Sequence, residues 1–252
     1  MENSILSKSL STYSPISLDE MEAVKLMNRV DTKYVCHESL LPAILQQAQA
    51  DYLVQEVAGR RVATYDTVYY DTEDLEMYIR HHDQQLVRRK VRIRTYMDTG
   101  AEYLEIKKKN NHGRTKKKRI PFNSDAPVNE FISKHTPYQW TDLHPTERTA
   151  FERITLVNKE KTERLTMDMN LRFEAMDNQT TANLGPLVII ELKRDGLQPS
   201  KMQHILRDLR IFPMKISKYC MGVTMTIPTI KHNRFKEKLI KLNKLCRNLI
   251  LQ

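Results

Sequence analysis

Residues 86–119 read LVRRKVRIRTYMDTGAEYLEIKKKNNHGRTKKKR, and this run decides the fold. It holds 13 Lys/Arg against 3 Asp/Glu, a net charge of +10. The whole chain of 252 residues holds 41 against 31, also +10, so the remainder balances at 28 against 28. The charge is patterned: Lys90, Arg92 and Arg94 alternate with Val91, Ile93 and Thr95. Successive side chains of a strand point to opposite faces, so one face of this strand is cationic and the other largely apolar. Gly100 and the segment 110–113 are turn signals that divide the run into strands at 86–97, 101–109 and 114–122. Such strands line a polyanion site on one side and pack on the other, which points to phosphate chemistry or nucleic acid.

Outward from this run, residues 1–16 read as irregular, and Ser17-Leu18-Asp19-Glu20 as a capping box opening a helix to about residue 28. Strands are predicted at 30–36, 52–57, 62–70, 147–157, 162–174 and 187–194. Helices are predicted near 41–48, 73–82, 126–135, 199–210, 217–226 and 231–249. No repeat or linker divides the chain. The expectation is one domain over 1–252, with a core at about 17–228 and a basic amphipathic C-terminal helix at about 231–249. The class is α+β, an antiparallel β-barrel with helices packed outside.

Composition narrows the function. Hydrophobic residues make up 40% and mean hydropathy is −0.57, which suits a soluble globular protein. No apolar stretch reaches the ~18 residues that cross a bilayer, and the N-terminus shows no secretory h-region. Cys36, Cys220 and Cys246 form no CxxC pair, so a reducing cytoplasm is expected, with Cys220 a buried helix residue. With 6 Gly, neither a Walker A loop nor a Rossmann fingerprint is present.

The alternation repeats along the chain. In 162–174, Leu165, Met167, Met169, Leu171 and Phe173 share one face, and Arg164, Thr166, Asp168, Asn170 and Arg172 the other. Glu105 pairs by spacing with Lys107, Lys117 with Arg119, Glu191 with Lys193 and Arg153 with Phe151, while Lys33 alternates with Tyr34. If the polar faces turn inward, Lys33, Arg92, Arg94, Lys107, Lys117, Arg153, Arg164 and Lys193 line a tunnel with Glu105 and Glu191. Arg grips phosphate through forked hydrogen bonds and Lys as a point charge. Carboxylates hold the Mn²⁺ or Mg²⁺ that phosphoryl transfer needs. Glu105 reads equally as a counter-ion, and Asp168 equally as a residue that orients Arg164 or Arg172. Lys108, Lys116 and Lys118 fall on the outer face. His81, His82 and His112 read as surface residues. The last helix reads as barrel cover, or else as a membrane-surface helix.

In order, RVDTKYV, TVYYDT, KVRIR, YLEIKKK, TKKKRIPF, AFERITL, RLTMDMNLRF, VIIELKRDG and ISKYC resemble the catalytic domain of vacuolar transporter chaperone (VTC) polyphosphate polymerases, within the triphosphate tunnel metalloenzyme superfamily. The resemblance covers about 30–220. It implies an antiparallel tunnel barrel that uses ATP and a divalent metal, commonly Mn²⁺, to extend inorganic polyphosphate. By position, Lys33, Arg92, Arg94, Lys107, Lys117, Arg153 and Arg164 would hold phosphates and Glu191 the metal. Ser217 and Lys218 would contact phosphate near the tunnel mouth, with Lys215 a weaker candidate. Phe151 stands where the family carries a tyrosine. Residues 29–35 lack the ExExK signature of the tunnel triphosphatases, which favours the polymerase branch. The implied partners are ATP and inorganic polyphosphate, no specific nucleic acid, and a membrane protein for product export. The implied location is the cytoplasm, extending to the inner face of a membrane. The alternatives are a tunnel triphosphatase and a non-catalytic module that binds polyphosphate or nucleic acid.

Overall fold

The computed structural model describes residues 2–22, 29–112, 114–196 and 199–247. In chain order the elements are α1 (Glu2–Ser11), β1 (Pro15–Ile16), α2 (Leu18–Glu22), β2 (Arg29–His37), α3 (Leu41–Ala48), β3 (Tyr52–Gln55), β4 (Ala63–Asp71) and α4 (Glu76–His82). They continue with β5 (Arg88–Tyr96), β6 (Ala101–Lys109), β7 (Thr115–Pro121), α5 (Val128–His135), β8 (His144–Asn158), β9 (Glu163–Ala175), β10 (Thr181–Asn183) and β11 (Leu187–Asp195). The helices α6 (Lys201–Asp208), α7 (Lys218–Thr226) and α8 (Lys236–Arg247) follow.

The strands form one sheet whose main path, β2-β11-β9-β8-β4-β5-β6-β7, is antiparallel, with β10 beside β9 and β3, itself paired in parallel with β1, attached to β8. The sheet curls into a half-barrel with β2 and β7 at its ends. Local chemistry sets the hairpins. Gly100 takes φ 70° between β5 and β6. Asn158 Oδ1 accepts from the Thr162 and Glu163 amides (2.9 and 2.8 Å) to turn β8 into β9. That Asx geometry is the reason a short polar segment reverses the chain there.

Helices cover the outer face in two places. Leu165, Met167 and Met169 of β9, Ile154 and Leu156 of β8, and Val188, Ile190 and Leu192 of β11 pack against Leu41, Ile44 and Leu45 of α3 and Met202, Ile205 and Leu206 of α6. Val91, Ile93, Leu104 and Ile106 of β5 and β6 pack under Phe131 and Ile132 of α5. The helices are not all outside, however. Tyr219, Met221 and Val223 of α7 pack on Val35, Phe151, Leu171, Phe173 and Ile189, which lie on the inner face, and Leu242 of α8 joins them. Asp71 fastens α7 to α4: it accepts from the Met77 and Tyr78 amides (both 2.9 Å) and from the Tyr219 hydroxyl (2.5 Å). A Cβ at Gly222 in mid-helix would stand 2.4 Å from Glu147 Oε1, so a larger residue there would displace the buried Glu147 side chain.

Several expectations are corrected. Residues 2–11 form α1 rather than irregular chain, held by the buried Leu10 and by Tyr13, whose hydroxyl donates to Leu45 O. The short strands β1 and β10 are additional. The capping box at Ser17 is present, with Glu20 N to Ser17 Oγ at 3.3 Å and Ser17 N to Glu20 Oε2 at 3.0 Å. The predicted continuation of that helix to residue 28, and the end of the last helix at 248–249, lie outside the described residues. The alternation of 162–174 does not stay on one face. Asn170 takes φ 53° opposite a register shift between Ala150 and Glu152, so Leu165, Met167 and Met169 face outward while Leu171 and Phe173 face inward. The last helix packs: Leu239, Leu242, Leu245 and Cys246 sit against the inner cluster. No described helix is long and apolar enough to cross a membrane.

Candidate functional site

Strand register assembles the inner face. Arg92, Glu105 and Arg119 form one cross-strand row on β5, β6 and β7, and Lys90, Lys107 and Lys117 form the next. On the other side of the curl, Lys33, Glu191 and Thr166 form a row across β2, β11 and β9, beside the row Asp31, Lys193 and Arg164. Arg153 of β8 stands opposite Asp168 of β9. The start of α7 then closes over these rows. Lys33 Nζ donates to Ile216 O (2.9 Å), Lys90 Nζ to Ser217 Oγ (2.6 Å), and Lys218 pairs with Asp168. Ser217 Oγ also caps α7 by accepting from Cys220 N (3.2 Å), so the positive end of the helix faces the cations. Every predicted site residue lies on this inner face or at this helix start.

The acids are shared between bases. Glu105 is fully buried; its Oε2 takes Arg92 Nε (2.8 Å) and Nη2 (2.5 Å), and its Oε1 takes Lys117 Nζ (2.5 Å). Asp168 takes Arg153 through both oxygens (2.5 and 2.8 Å) as well as Lys218. Glu191, half-buried, takes Lys193 Nζ at 2.5 Å. Burial opposes ionisation of each carboxyl, and the surrounding cations outweigh it, holding all three below the usual range.

The bases are crowded in turn. Burial, then the charges of Arg92 and Arg153, push Arg94 down to about 10. Arg94 is buried with no ion pair among the described residues, and its Nε donates to Thr67 Oγ1 (3.2 Å). The charge of Arg92, then burial, holds Lys107 well below its ordinary value. Burial brings Lys90 to about 8 and Lys218 to about 7, with neighbouring cations adding to the effect. Like charges this close favour an arriving anion.

Aromatic rings form the floor. Tyr65 and Phe151 stack at 5.2 Å. Arg94 and Arg153 lie 5.3 and 5.0 Å from the Tyr65 centroid, and Lys218 lies 4.6 Å from that of Phe151. Tyr69 accepts from Arg92 Nη1 (3.2 Å).

The structure adds residues that the sequence reading gave no role. Lys90 shares the face of Arg92, a signal visible in the alternation itself. Tyr65, Thr67 and Tyr69 alternate in β4. Asp168 orients Arg153 and Lys218 rather than Arg164 or Arg172, because cross-strand register places Arg153 opposite it. His82 is a correction too: it is fully buried, with Nδ1 2.7 Å from Asp83 Oδ1 and Nε2 accepting from Arg234 N (3.3 Å). Lys108, Lys116, Lys118 and His112 are exposed, and Cys220 is buried, as expected. Among the described residues no group of three or more His, Cys, Asp or Glu converges as a metal cage.

The curled sheet and its crowded inner cations define an anion-binding domain of tunnel type. Residues 28–227 match the VTC domain family, and the chain belongs to that family. No curated protein matches the chain. Among solved structures it is similar to a protein from Hippeastrum proposed to be an adenylyl cyclase and described as having a dominant triphosphatase activity. That similarity has a TM-score of 0.49 at 11% identity and covers 81% of this chain and 100% of the other. It is also similar to a protein from Vibrio parahaemolyticus proposed to be an adenylate cyclase (TM-score 0.47, 10% identity, 78% and 99% covered). A third is the PH1819 protein of Pyrococcus horikoshii (TM-score 0.44, 13% identity, 78% and 98% covered).

Proposed function

We propose that the protein is a polyphosphate polymerase that transfers the terminal phosphoryl group of ATP to an inorganic phosphate chain and releases ADP. The observation that carries this reading is the set of inner rows in which bases outnumber acids and α7 presents its N-terminus, on a member of the VTC domain family. A terminal oxygen of the chain attacks the γ-phosphorus, and the bond from that phosphorus to the β–γ bridging oxygen breaks toward ADP. Arg92, Arg94, Lys107, Arg153 and Arg164 hold the phosphates in line and offset charge on their equatorial oxygens. Lys33, Lys193, Ser217 and Lys218 align the chain, and Lys117 acts through Glu105. Tyr65, stacked on Phe151, brings a phenol to the group of Arg94 and Arg153.

Mn²⁺ and Mg²⁺ are commonly held by one or two carboxylates with phosphate oxygens and water completing the shell. Glu191 fits that donor set, being half-buried among lysines on the inner face, with Lys193 on its Oε1. Glu105 is assigned the counter-ion role, since both of its oxygens are taken by bases. The metal would neutralise charge developing on the transferred group.

The test is incubation of purified protein with ATP and Mn²⁺, scoring ADP, free phosphate and long-chain polyphosphate separately. Long chains support the proposal. Free phosphate alone would replace it with a triphosphatase, and no turnover with a binding module. Cytoplasmic action beside a membrane export partner belongs to the same proposal.

A further inference from the structure

The half-barrel has two edges, and the chain treats them differently. Along β2, Pro213 bridges to Tyr34 and Met214 N donates to Lys33 O (2.7 Å), so the segment before α7 covers that edge. At the other end, β7 is paired only with β6 among the described residues, and every residue of it except Ile120 is exposed. The register shows which backbone groups are left over. Phe122 N donates to Glu102 O and Asn110 N to Arg114 O (both 2.9 Å), at the two ends of the β6-β7 ladder. Hydrogen-bonded and non-hydrogen-bonded pairs alternate along an antiparallel ladder. Counted from either end, Lys116, Lys118 and Ile120 bond to Lys108, Ile106 and Leu104. The N–H and C=O groups of Thr115, Lys117 and Arg119 then point away from β6, and none has a partner among the described residues. Pro121, which has no N–H, ends this row of donors.

Side chains flank this edge with one sign of charge. Lys117 turns inward to Glu105, while Lys116 and Lys118 alternate to the outer face, exposed and without an ion pair among the described residues. Donors and acceptors at strand spacing are a template for another extended chain. The occupant is selected by two demands. A phosphate chain could accept from the three amides but could not donate to the carbonyls between them. A second copy of β7 would satisfy the backbone, but it would set bases opposite Lys116 and Lys118, and like charges directly opposite are unfavourable. A polypeptide strand that carries carboxylates meets both demands.

We propose that β7 is a docking edge for an extended acidic segment of a partner protein, which joins the sheet as a further strand with carboxylates facing Lys116 and Lys118. The probe is an eight-residue peptide of alternating Glu and Val. Its controls are the same peptide N-methylated throughout, which keeps the charge and loses the backbone donors, and a peptide of alternating Lys and Val. Amide hydrogen exchange is followed residue by residue by NMR at about 0.15 M salt, where non-specific attraction is screened. In the free protein the amides of Lys116, Lys118 and Ile120 should exchange about tenfold or more slower than those of Thr115, Lys117 and Arg119. Saturating Glu–Val peptide should slow the second set by about tenfold or more, and neither control peptide should. Lys116→Glu/Lys118→Glu, which changes only exposed side chains, should weaken the Glu–Val peptide about tenfold and admit the Lys–Val peptide. Slow exchange of Thr115, Lys117 and Arg119 in the free monomer would mean that the chain itself covers the edge. Protection that appears only on self-association would give the edge to a second copy. Equal binding of the N-methylated peptide would reduce β7 to a charged surface. Each of these results, like a failure of the Glu–Val peptide to bind, overturns the proposal.

Discussion

Replacing Arg94 with methionine separates the two things this residue does. Arg94 is 6% exposed, and its titration is pushed from an ordinary 12.5 to about 10 by burial and by the charges of Arg92 and Arg153. At neutral pH it is charged in both the folded and unfolded states. The folded protein therefore carries the whole penalty at every pH below about 10, and sheds it only as pH rises from there toward 12.5. Each pKa unit corresponds to about 1.4 kcal/mol, so the penalty is on the order of 3 kcal/mol. Against it stand the Thr67 hydrogen bond, roughly 1 kcal/mol, and cation–π contacts with Tyr65 and Phe151, roughly 1 kcal/mol together. Arg94→Met keeps most of the stem and removes the charge. It should leave stability unchanged or raise it by about 1 kcal/mol, a rise of about 2–4 °C in Tm for a domain of this size. Triphosphate affinity should fall by roughly 1.5–3 kcal/mol, about tenfold to a hundredfold.

The assay is a pair of thermal melts with and without triphosphate, plus a calorimetric titration. Arg89→Met is the control, because Arg89 alternates to the other face of β5, within reach of Glu76; it should leave triphosphate affinity unchanged. Arg92 is the poorer choice, because its loss would leave the fully buried Glu105 with Lys117 as its remaining ion pair and so perturb the fold as well as the site. A variant Arg94→Met that melts well below the unmodified protein yet binds triphosphate as tightly would refute the reasoning. Arg94 would then be a structural cation, and the inner face would not be an anion site.

Three further outcomes are expected. Glu191→Gln should abolish Mn²⁺-dependent turnover and lower Tm by a few degrees, because Lys193, Lys33 and Lys107 lose the charge they surround; a metal titration equal to that of the unmodified protein would remove Glu191 from the metal site. At about 0.15 M salt, triphosphate should displace ATP fully and duplex DNA of equal phosphate content only poorly, whereas equal displacement would mean an open cationic surface. Lys218 titrates at about 7 in the free protein, so triphosphate affinity should fall as pH rises from about 6 to about 8.5 and Lys218→Gln should flatten that slope; over the same rise this lysine's contribution to stability increases, since the unfolded side chain keeps its proton while the folded one loses it.

Much of this site is legible in the sequence because strands write their faces into alternate positions. KVRIR, YLEIKKK and VIIELKR each declare a cationic face, and β5, β6 and β11 present them inward together. What alternation does not encode is a change of face. At Asn170 one positive φ transfers Leu171 and Phe173 to the inner side, and no residue spacing announces it. It also does not encode register, so the sequence offers Arg164 and Arg172 as neighbours of Asp168 while the sheet supplies Arg153. The helix α1 escapes detection for another reason. ENSILSKSLS is polar and weakly patterned, and packing on α3 rather than intrinsic preference fixes it. His82 is buried because Asp83 and the Arg234 amide satisfy both ring nitrogens, partners close to it in space but hidden in a linear reading.

The stoichiometry of the buried charges explains how such a site can exist before its ligand arrives. A bare cluster of buried cations would be prohibitively costly, and a fully neutralised one would have no reason to bind phosphate. The inner face avoids both extremes by giving one carboxylate to two or more bases. Glu105 serves Arg92 and Lys117, and Asp168 serves Arg153 and Lys218. Glu191 pairs with Lys193 and lies within the influence of Lys33 and Lys107. Each group is stable enough to fold and keeps a surplus positive charge. Those surpluses sit in neighbouring cross-strand rows, on strands spaced about 5 Å apart. A ligand that satisfies several at once needs closely repeated negative charges on a narrow unbranched chain, which describes a condensed phosphate better than the widely spaced backbone of a duplex.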